Sequence, residues 1–421
     1  MDRREKLKLL TRAAQYDLCS PACSSSSTRV AETPASYAGQ DISQWLFPAV
    51  LPNGRHLPLL KVLQSNMCDN NCFYCAMRRA RNGERCAFSS DELAAAFDQL
   101  AQRGVAKGLF LSSAVSDHAN RTMERMIATV ELVRFKYHFD GYVHLKLLPG
   151  CDEAAIERAI QLADRVSVNL EAPTPARLES LSSDKRFEQD LMEPMRRARC
   201  LLDQSEEKAA PDITTQFVVG AAGESDREIL STAEHVHNNL GVTRAYFSAF
   251  RPVPDTPLEN LPPTPVWRQN RLYQGDYLLR YYGFSVHDLI FNLDGNLSKD
   301  LDPKTAWAQQ HPESFPIEIN RASREELLRV PGIGPRSAQR IVQLRRQGKF
   351  RGLQDLRAIG AVADRAAPFV LLDGHRTPQQ LSLFGWAATA GSQAGQRAAM
   401  WGRQALTSET QLGSAPLGRS D

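Results

Sequence analysis

Cysteine is scarce in this chain, with eight residues in 421. That excludes a disulfide-stapled secreted scaffold, which is short and cysteine-dense. Long apolar runs are missing too. No stretch approaches the roughly 18 uninterrupted apolar residues that a membrane-spanning helix needs. The opening MDRREKLKLL is charged, and no apolar run with a small-residue cleavage site follows it, so a cytoplasmic location is expected. Thiols stay reduced there, and cysteines are buried, catalytic or metal-bound rather than paired. Net charge is small as well, +3 formally, so composition announces no polyanion partner for the chain as a whole. What the chain does have is length for two or three domains and, at 42% apolar and 24% charged residues, material for a real core.

From about residue 58 to 300, short apolar or β-branched runs alternate with helical patterns. The strand candidates are 59–66, 108–113, 142–148, 165–171, 213–220 and 244–250. Between them, Leu93, Phe97 and Leu100 share one helical face, as do Met126, Ile127, Val130 and Val133. Ser225 and Glu228 have capping-box spacing, and Gly241 marks that helix's end. Strand then helix, six times over, argues for a parallel sheet with crossover helices, either open or closed into a barrel. In both cases sites gather at the carboxyl ends of the strands. The proline-rich RPVPDTPLENLPPTP (251–265) reads as a loop, and 267–284 as an aromatic-rich helix.

Three of the eight cysteines fall at Cys68, Cys72 and Cys75, directly after the first strand candidate. Thiolates bind soft metals and iron–sulfur clusters. A structural zinc site usually wants four ligands in two short-spaced pairs, and the nearest further cysteine, Cys86, is eleven positions on. A four-iron cubane held by three cysteines leaves one iron open. Zinc stays the plainer alternative. Cys19 and Cys23 lie in a small polar stretch and either form a second metal site or are ordinary thiols.

The C-x3-C-x2-C stretch, with Tyr74 before its last cysteine and a β/α chain around it, resembles the radical S-adenosylmethionine superfamily. The resemblance implies a partial or full (β/α) barrel and a 4Fe–4S cluster on Cys68, Cys72 and Cys75. It also implies S-adenosylmethionine chelated by the open iron and cleaved to a 5′-deoxyadenosyl radical, with electrons from a flavodoxin- or ferredoxin-type reductant. By the same resemblance Tyr74 lies near adenine, Ser112 and Ser113 stand where a glycine-rich motif meets the methionine amino group, and Glu171 points toward ribose or methionine. Gly220 and Glu224, in VVGAAGE, match the glycine-containing fifth-strand motif. The serines here are a departure from that glycine-rich pattern. The plainer alternatives are that Ser112 and Ser113 cap a following turn, that Glu171 is a capping or solvated carboxylate, and that Gly220 is a turn glycine.

From residue 316 the style changes. Two helical patterns are joined by PGIG, followed by a weaker second version around Gly360. Glycines permit a tight turn, and the next helix start presents amide groups and partial positive charge, which suit a phosphate. Residues 316–373 hold eleven basic and six acidic residues, so the positive charge is local, as a nucleic-acid footprint should be. The segment resembles tandem helix-hairpin-helix DNA-binding domains, with Gly332, Ile333, Gly334, Arg336, Ser337 and Arg340 as the phosphate-contacting set. A protein-binding or scaffold hairpin is the alternative. Past 374 the chain turns small and polar, the composition of a disordered tail. Gln380, Leu381, Ser382, Leu383 and Phe384 there resemble the pentapeptide by which bacterial proteins dock on the replisome's sliding clamp. Otherwise the apolar residues of that peptide pack back on the helical module.

The expected organisation is an N-terminal extension (1–55), a radical SAM β/α barrel (56–312), a small all-α tandem helix-hairpin-helix domain (316–373) and a flexible tail (374–421). The whole most resembles radical SAM proteins described as acting in DNA modification or repair. An enzyme acting on DNA is therefore expected. The alternatives are an RNA- or tRNA-modifying enzyme and a non-catalytic DNA-bound iron–sulfur sensor.

Overall fold

Asp2 and Glu5 exchange side-chain and backbone hydrogen bonds as a capping box and start α1 (Arg3–Ala14), whose Leu7, Leu10 and Ala14 are buried. In this computed structural model residues 1–15, 46–50, 56–204 and 211–376 are described. The clamp-like peptide, Cys19 and Cys23 lie outside the described residues. The chain divides into two units, Met1–Leu297 and Ser298–Asp421.

In the first unit β1 (Leu46–Val50) lies antiparallel to β2 (His56–Leu63). Then follow α2 (Ser90–Gln102), β3 (Gly108–Ser112), α3 (Ala119–Glu131) with a π-helical turn at 132–136, β4 (Tyr142–Lys146), α4 (Glu153–Leu162) and β5 (Arg165–Glu171). They are followed by α5 (Pro175–Glu179), a π-helical stretch Phe187–Met192, α6 (Glu193–Gln204), β6 (Asp212–Val219), α7 (Asp226–Leu240), β7 (Val242–Ala249) and α8 (Val266–Tyr281). The sheet order is β1 to β7 in sequence, and every pair from β2 onward is parallel. All six strand candidates are present. The capping boxes at Ser89/Glu92 and Ser225/Glu228 start α2 and α7, and Gly241, at φ +62°, ends α7 in the left-handed conformation. The antiparallel β1 and helix α1 are additions to the expected pattern.

Residues paired across parallel strands share a face. On one face Leu60, Leu109, Val143, Val166, Ile213 and Ala245 are buried against the crossover helices. The other face carries polar groups. Lys61 sits over the Phe110 ring, Phe110 contacts the His144 ring at 4.3 Å, and His144 Nε2 lies 2.8 Å from Ser167 Oγ. The loops at the carboxyl ends show that the sheet curls toward that polar face. Within the loop after β2, Asp69 N donates to Val115 O after β3 (2.7 Å), and Phe73 N to Leu181 O beyond β5 (2.8 Å). Arg81 Nε donates to Pro254 O, beyond β7 (2.9 Å). Neighbouring strands stand about 4.8 Å apart, so one loop reaches across five strand positions only if the sheet bends into a partial barrel.

The second unit contains α9 (Pro303–Gln310), β8 (Ile317–Glu318), α10 (Arg324–Arg329), α11 (Pro335–Leu344), α12 (Leu353–Ala358), α13 (Ala363–Ala366), β9 (Val370–Leu372) and β10 (His375–Arg376). The two helix pairs of the sequence pattern are there, together with a small three-stranded sheet ordered β10-β9-β8. Helix α9 belongs to this unit. Arg365 pairs with Asp302 and donates to Thr305 (3.0 Å), and Lys304 Nζ donates to Ile333 O at 2.6 Å. The division therefore falls at 297/298, earlier than the change of sequence style near 316.

Candidate metal centre and nucleic-acid interface

The cysteine loop is built around an arginine. Arg85 donates to four carbonyls, those of Asn66, Met77 (2.9 Å), Arg78 (2.8 Å) and Arg81 (2.9 Å). With those carbonyls drawn to one guanidinium, the loop takes a single shape. At its base Gln64 N donates to Ser112 O, Ala114 N to Ser65 O and Phe88 N to Gln64 O. The loop is thus stitched to the end of β3 on one side and to its own return on the other.

A second segment, 181–185, clasps the loop from beyond α5. Phe73 N donates to Leu181 O, and Asn71 N to an Asp184 carboxylate oxygen. Each of the three sulfurs has a donor near it. Cys75 accepts from Met77 N at 3.4 Å, Cys72 Sγ lies 3.3 Å from Ser182 Oγ, and the backbone amides of Asn70 and Val115 stand near Cys68. Burial pushes the Cys68 thiol up and, together with the neighbouring Cys72, takes Cys75 up to about 12. The three sense one another electrostatically. Cys86 does not join them. Its thiol stands near Lys6 of α1, and its backbone pairs with Asn66.

Glu171 ends β5 at φ +63°, beside a register irregularity, a left-handed backbone that a non-glycine residue adopts at a cost and that clusters at functional sites. Its carboxylate accepts from Lys185 Nζ at 3.0 Å, with side-chain exposures of 8% and 9%. Burial pulls Lys185 down, but Cys72 and Glu171 outweigh it and hold the ammonium charged. Tyr74 bonds Glu171 too, and burial and then that carboxylate push its phenol up. Ser112 is buried, and Ser113 Oγ donates to Ala114 O at 2.7 Å. Hydrogen bonds therefore gather Cys68, Cys72, Cys75, Tyr74, Ser112, Ser113 and Glu171 around one loop. Gly220 and Glu224 stand at the carboxyl end of β6. There the Glu224 carboxylate accepts from the amides of Gly220 and Ala222 (3.0 Å) and faces Arg268, so it shapes its own loop. Gly220 has φ +89°, and a Cβ would collide with Thr264 Oγ1. Arg85, Ser182, Asp184 and Lys185 were invisible as site residues in the sequence, since no motif spacing ties them to the cysteines. A dense LSSDK turn was the only trace.

Among the described residues no three His, Cys, Asp or Glu side chains converge as they would around one metal ion. Cluster thiolates bind separate irons, so their sulfurs need not converge. The donor set fits such a group: three thiols, each with an N–H or O–H near it, and a buried ammonium beside them. A zinc knot would need a fourth ligand near these three.

In the second unit the turn between α10 and α11 is tight. Gly332 has φ +85°, and a Cβ would collide with Val362 O; the same Gly332 accepts from Val362 N at 2.8 Å. Ile333 is buried, and Gly334 is the N-cap of α11, offering no side-chain cap to the first-turn amides. Arg336 is exposed. Ser337 is buried, and Arg340 Nη1 donates to Ile359 O at 2.9 Å, bracing the second hairpin. That second turn, at Gly360 (φ +83°), leads into a helix of four residues, too short for a useful dipole. Behind the first turn Lys304 is buried, and burial lowers its amine to about 7.

Residues 314–366 match the helix-hairpin-helix motif. No curated protein matches the chain. Among solved structures, two of HydG, a maturase of [FeFe]-hydrogenase, one of them from Carboxydothermus hydrogenoformans, are 16% and 13% identical. Each is similar over 52% of this chain and about half of the HydG chain (49% and 50%), at a TM-score of 0.42. The methylornithine synthase PylB is 13% identical over 58% of this chain and 66% of its own, at 0.43. OxsB, a cobalamin-dependent S-adenosylmethionine radical enzyme, is 12% identical over 60% of this chain and 35% of its own, at 0.30. The chain spans about half the length of the HydG proteins it matches. Likeness at these scores carries no activity across. No described helix is long and apolar enough to cross a membrane.

Proposed function

We propose that this chain is a radical S-adenosylmethionine iron–sulfur enzyme that acts on DNA. One observation carries the reading. Three cysteines sit in the loop leaving the first parallel strand of a curled sheet, each sulfur with a donor near it and, among the described residues, no fourth ligand gathered with them. Cys68, Cys72 and Cys75 would hold a 4Fe–4S cluster, with one iron left for S-adenosylmethionine. The bound pair supplies reductive cleavage of the sulfonium, and so a radical able to open C–H bonds that acid–base groups cannot.

The chain's own residues hold and aim. Arg85 and the 181–185 segment fix the loop. The Lys185–Glu171 pair places a positive and a negative group on its flank, where Lys185 would meet a carboxylate and Glu171 an amine or hydroxyl. Ser112 and Ser113 line the adjoining strand end, and the Gly220–Glu224 turn lies at the same end of the sheet. The local positive charge of residues 316–373 and the uncapped start of α11 support duplex DNA as the partner, gripped through its phosphates. Such contacts carry little base information, so selectivity would rest with the partial barrel. The sliding clamp belongs to the same reading through Gln380–Phe384.

The test is anaerobic reconstitution of the full chain with iron and sulfide, then dithionite and S-adenosylmethionine. 5′-Deoxyadenosine is expected from the wild type, with neither cluster absorbance nor product from Cys72→Ala. An intact cluster that releases none contradicts the reading.

A further inference from the structure

Of the three sulfurs, Cys72 alone faces a side-chain donor among the described residues. Cys75 takes the backbone amide of Met77, and those of Asn70 and Val115 stand near Cys68. Cys72 Sγ lies 3.3 Å from Ser182 Oγ, and both groups are buried, at 5% and 1% exposure. A second contact fixes the hydroxyl oxygen. Asp184 N donates to Ser182 Oγ at 3.3 Å, which holds the oxygen in place and leaves its single proton free to reach sulfur. A thiolate cannot donate, so with metal bound the Ser182 hydroxyl is the donor of the pair. Ser182 is itself anchored, because Leu181 O and Asp184 on either side hold the backbone amides of Phe73 and Asn71.

We propose that Ser182 is a positioning residue that sets the reduction potential of the iron–sulfur cluster by donating its hydroxyl proton to the Cys72 thiolate. The inference rests on the cluster reading above. Adding an electron makes the cluster and its thiolates more negative, and a hydrogen bond to sulfur stabilises the reduced form more than the oxidised one. The bond is buried, so water does not replace it when it is lost. No covalent step is involved. The electron comes from dithionite, and the serine proton stays on its oxygen.

The experiment is a mediated dithionite titration of the full chain, followed by the electron paramagnetic resonance signal of the reduced cluster, for wild type, Ser182→Ala, Ser182→Thr and Ser182→Cys. Iron and sulfide are counted in each sample. Ser182→Ala should shift the midpoint to more negative potential, with the reduced-to-oxidised ratio at a fixed potential falling about fivefold. Ser182→Thr keeps the hydroxyl and should titrate like wild type. Ser182→Cys, with a weaker donor, should fall between. A full cluster in Ser182→Ala at the wild-type midpoint overturns the proposal. Should that variant assemble no cluster, Ser182→Cys decides, and a wild-type midpoint there overturns it equally. A wild type that takes up no cluster overturns the parent reading, which is a separate outcome because it appears in the iron count before any potential is measured.

Discussion

At position 220 the backbone turns through φ +89° against Thr264, which leaves no room for a side chain. Gly220→Ala meets both a strained backbone and a collision, so it should lose about 1–3 kcal/mol of stability, seen as a lowered urea midpoint with an unchanged slope. An unchanged midpoint would mean that the Gly220–Glu224 turn is looser than described. Lys304 gives a prediction in pH. Burial holds its folded amine near 7, against 10.5 for the ordinary lysine. Between those values the unfolded chain binds a proton that the folded chain refuses. Stability therefore rises with pH from about 7 to 10 on this account, and is flat below 7. Urea unfolding of wild type and Lys304→Met across that range should differ in slope, the variant being less pH-dependent; equal slopes contradict the assignment. Single residues were unevenly legible. The cysteines and Gly220 stand in recognisable spacing. Lys185, fourteen positions from Glu171, meets it only because the chain folds back beyond α5, and Arg85 reveals itself only by the carbonyls it collects.

Among elements, helices with a capping box and apolar periodicity were readable, as α2 and α7 show, because start signal and buried stripe agree. Helix α1 carries the same signals in Asp2, Glu5, Leu7 and Leu10, yet its dense charge hides them. Strand β1 contains Pro48 and lies at the sheet's edge, where proline is tolerated and strand propensity says least. The α10–α11 hairpin was legible in PGIG, because Gly332 needs its left-handed turn. The sheet of β8, β9 and β10 was not, since strands of two or three residues leave no period to read. Arg336 is the exposed arginine of the first turn of α11. Arg336→Glu should weaken duplex binding across unrelated sequences and reduce the slope of log affinity against log salt by about one. Unchanged affinity through a salt titration would remove this hairpin as the phosphate grip. Arg340 is a poorer probe, since its loss also frees the second turn.

For the whole molecule, alternation of strands and helices announced a parallel sheet but left open or closed undecided. Closure depends on how far the sheet curls, which is settled by loop contacts such as Arg81 with Pro254, 173 residues apart in sequence. The division at 297/298 was hidden for a similar reason. Helix α9 has no distinctive composition, and only Lys304, Asp302 and Thr305 tie it to the hairpins. The proposed function pairs a radical source in the sheet unit with a DNA grip in the other. That pairing is checked by incubating the reconstituted, reduced protein with S-adenosylmethionine and uniformly deuterated duplex DNA, then weighing the 5′-deoxyadenosine by mass spectrometry. Deuterium in that product is the predicted result. 5′-Deoxyadenosine formed in quantity with no deuterium, across intact and damaged duplexes alike, would contradict DNA as the substrate.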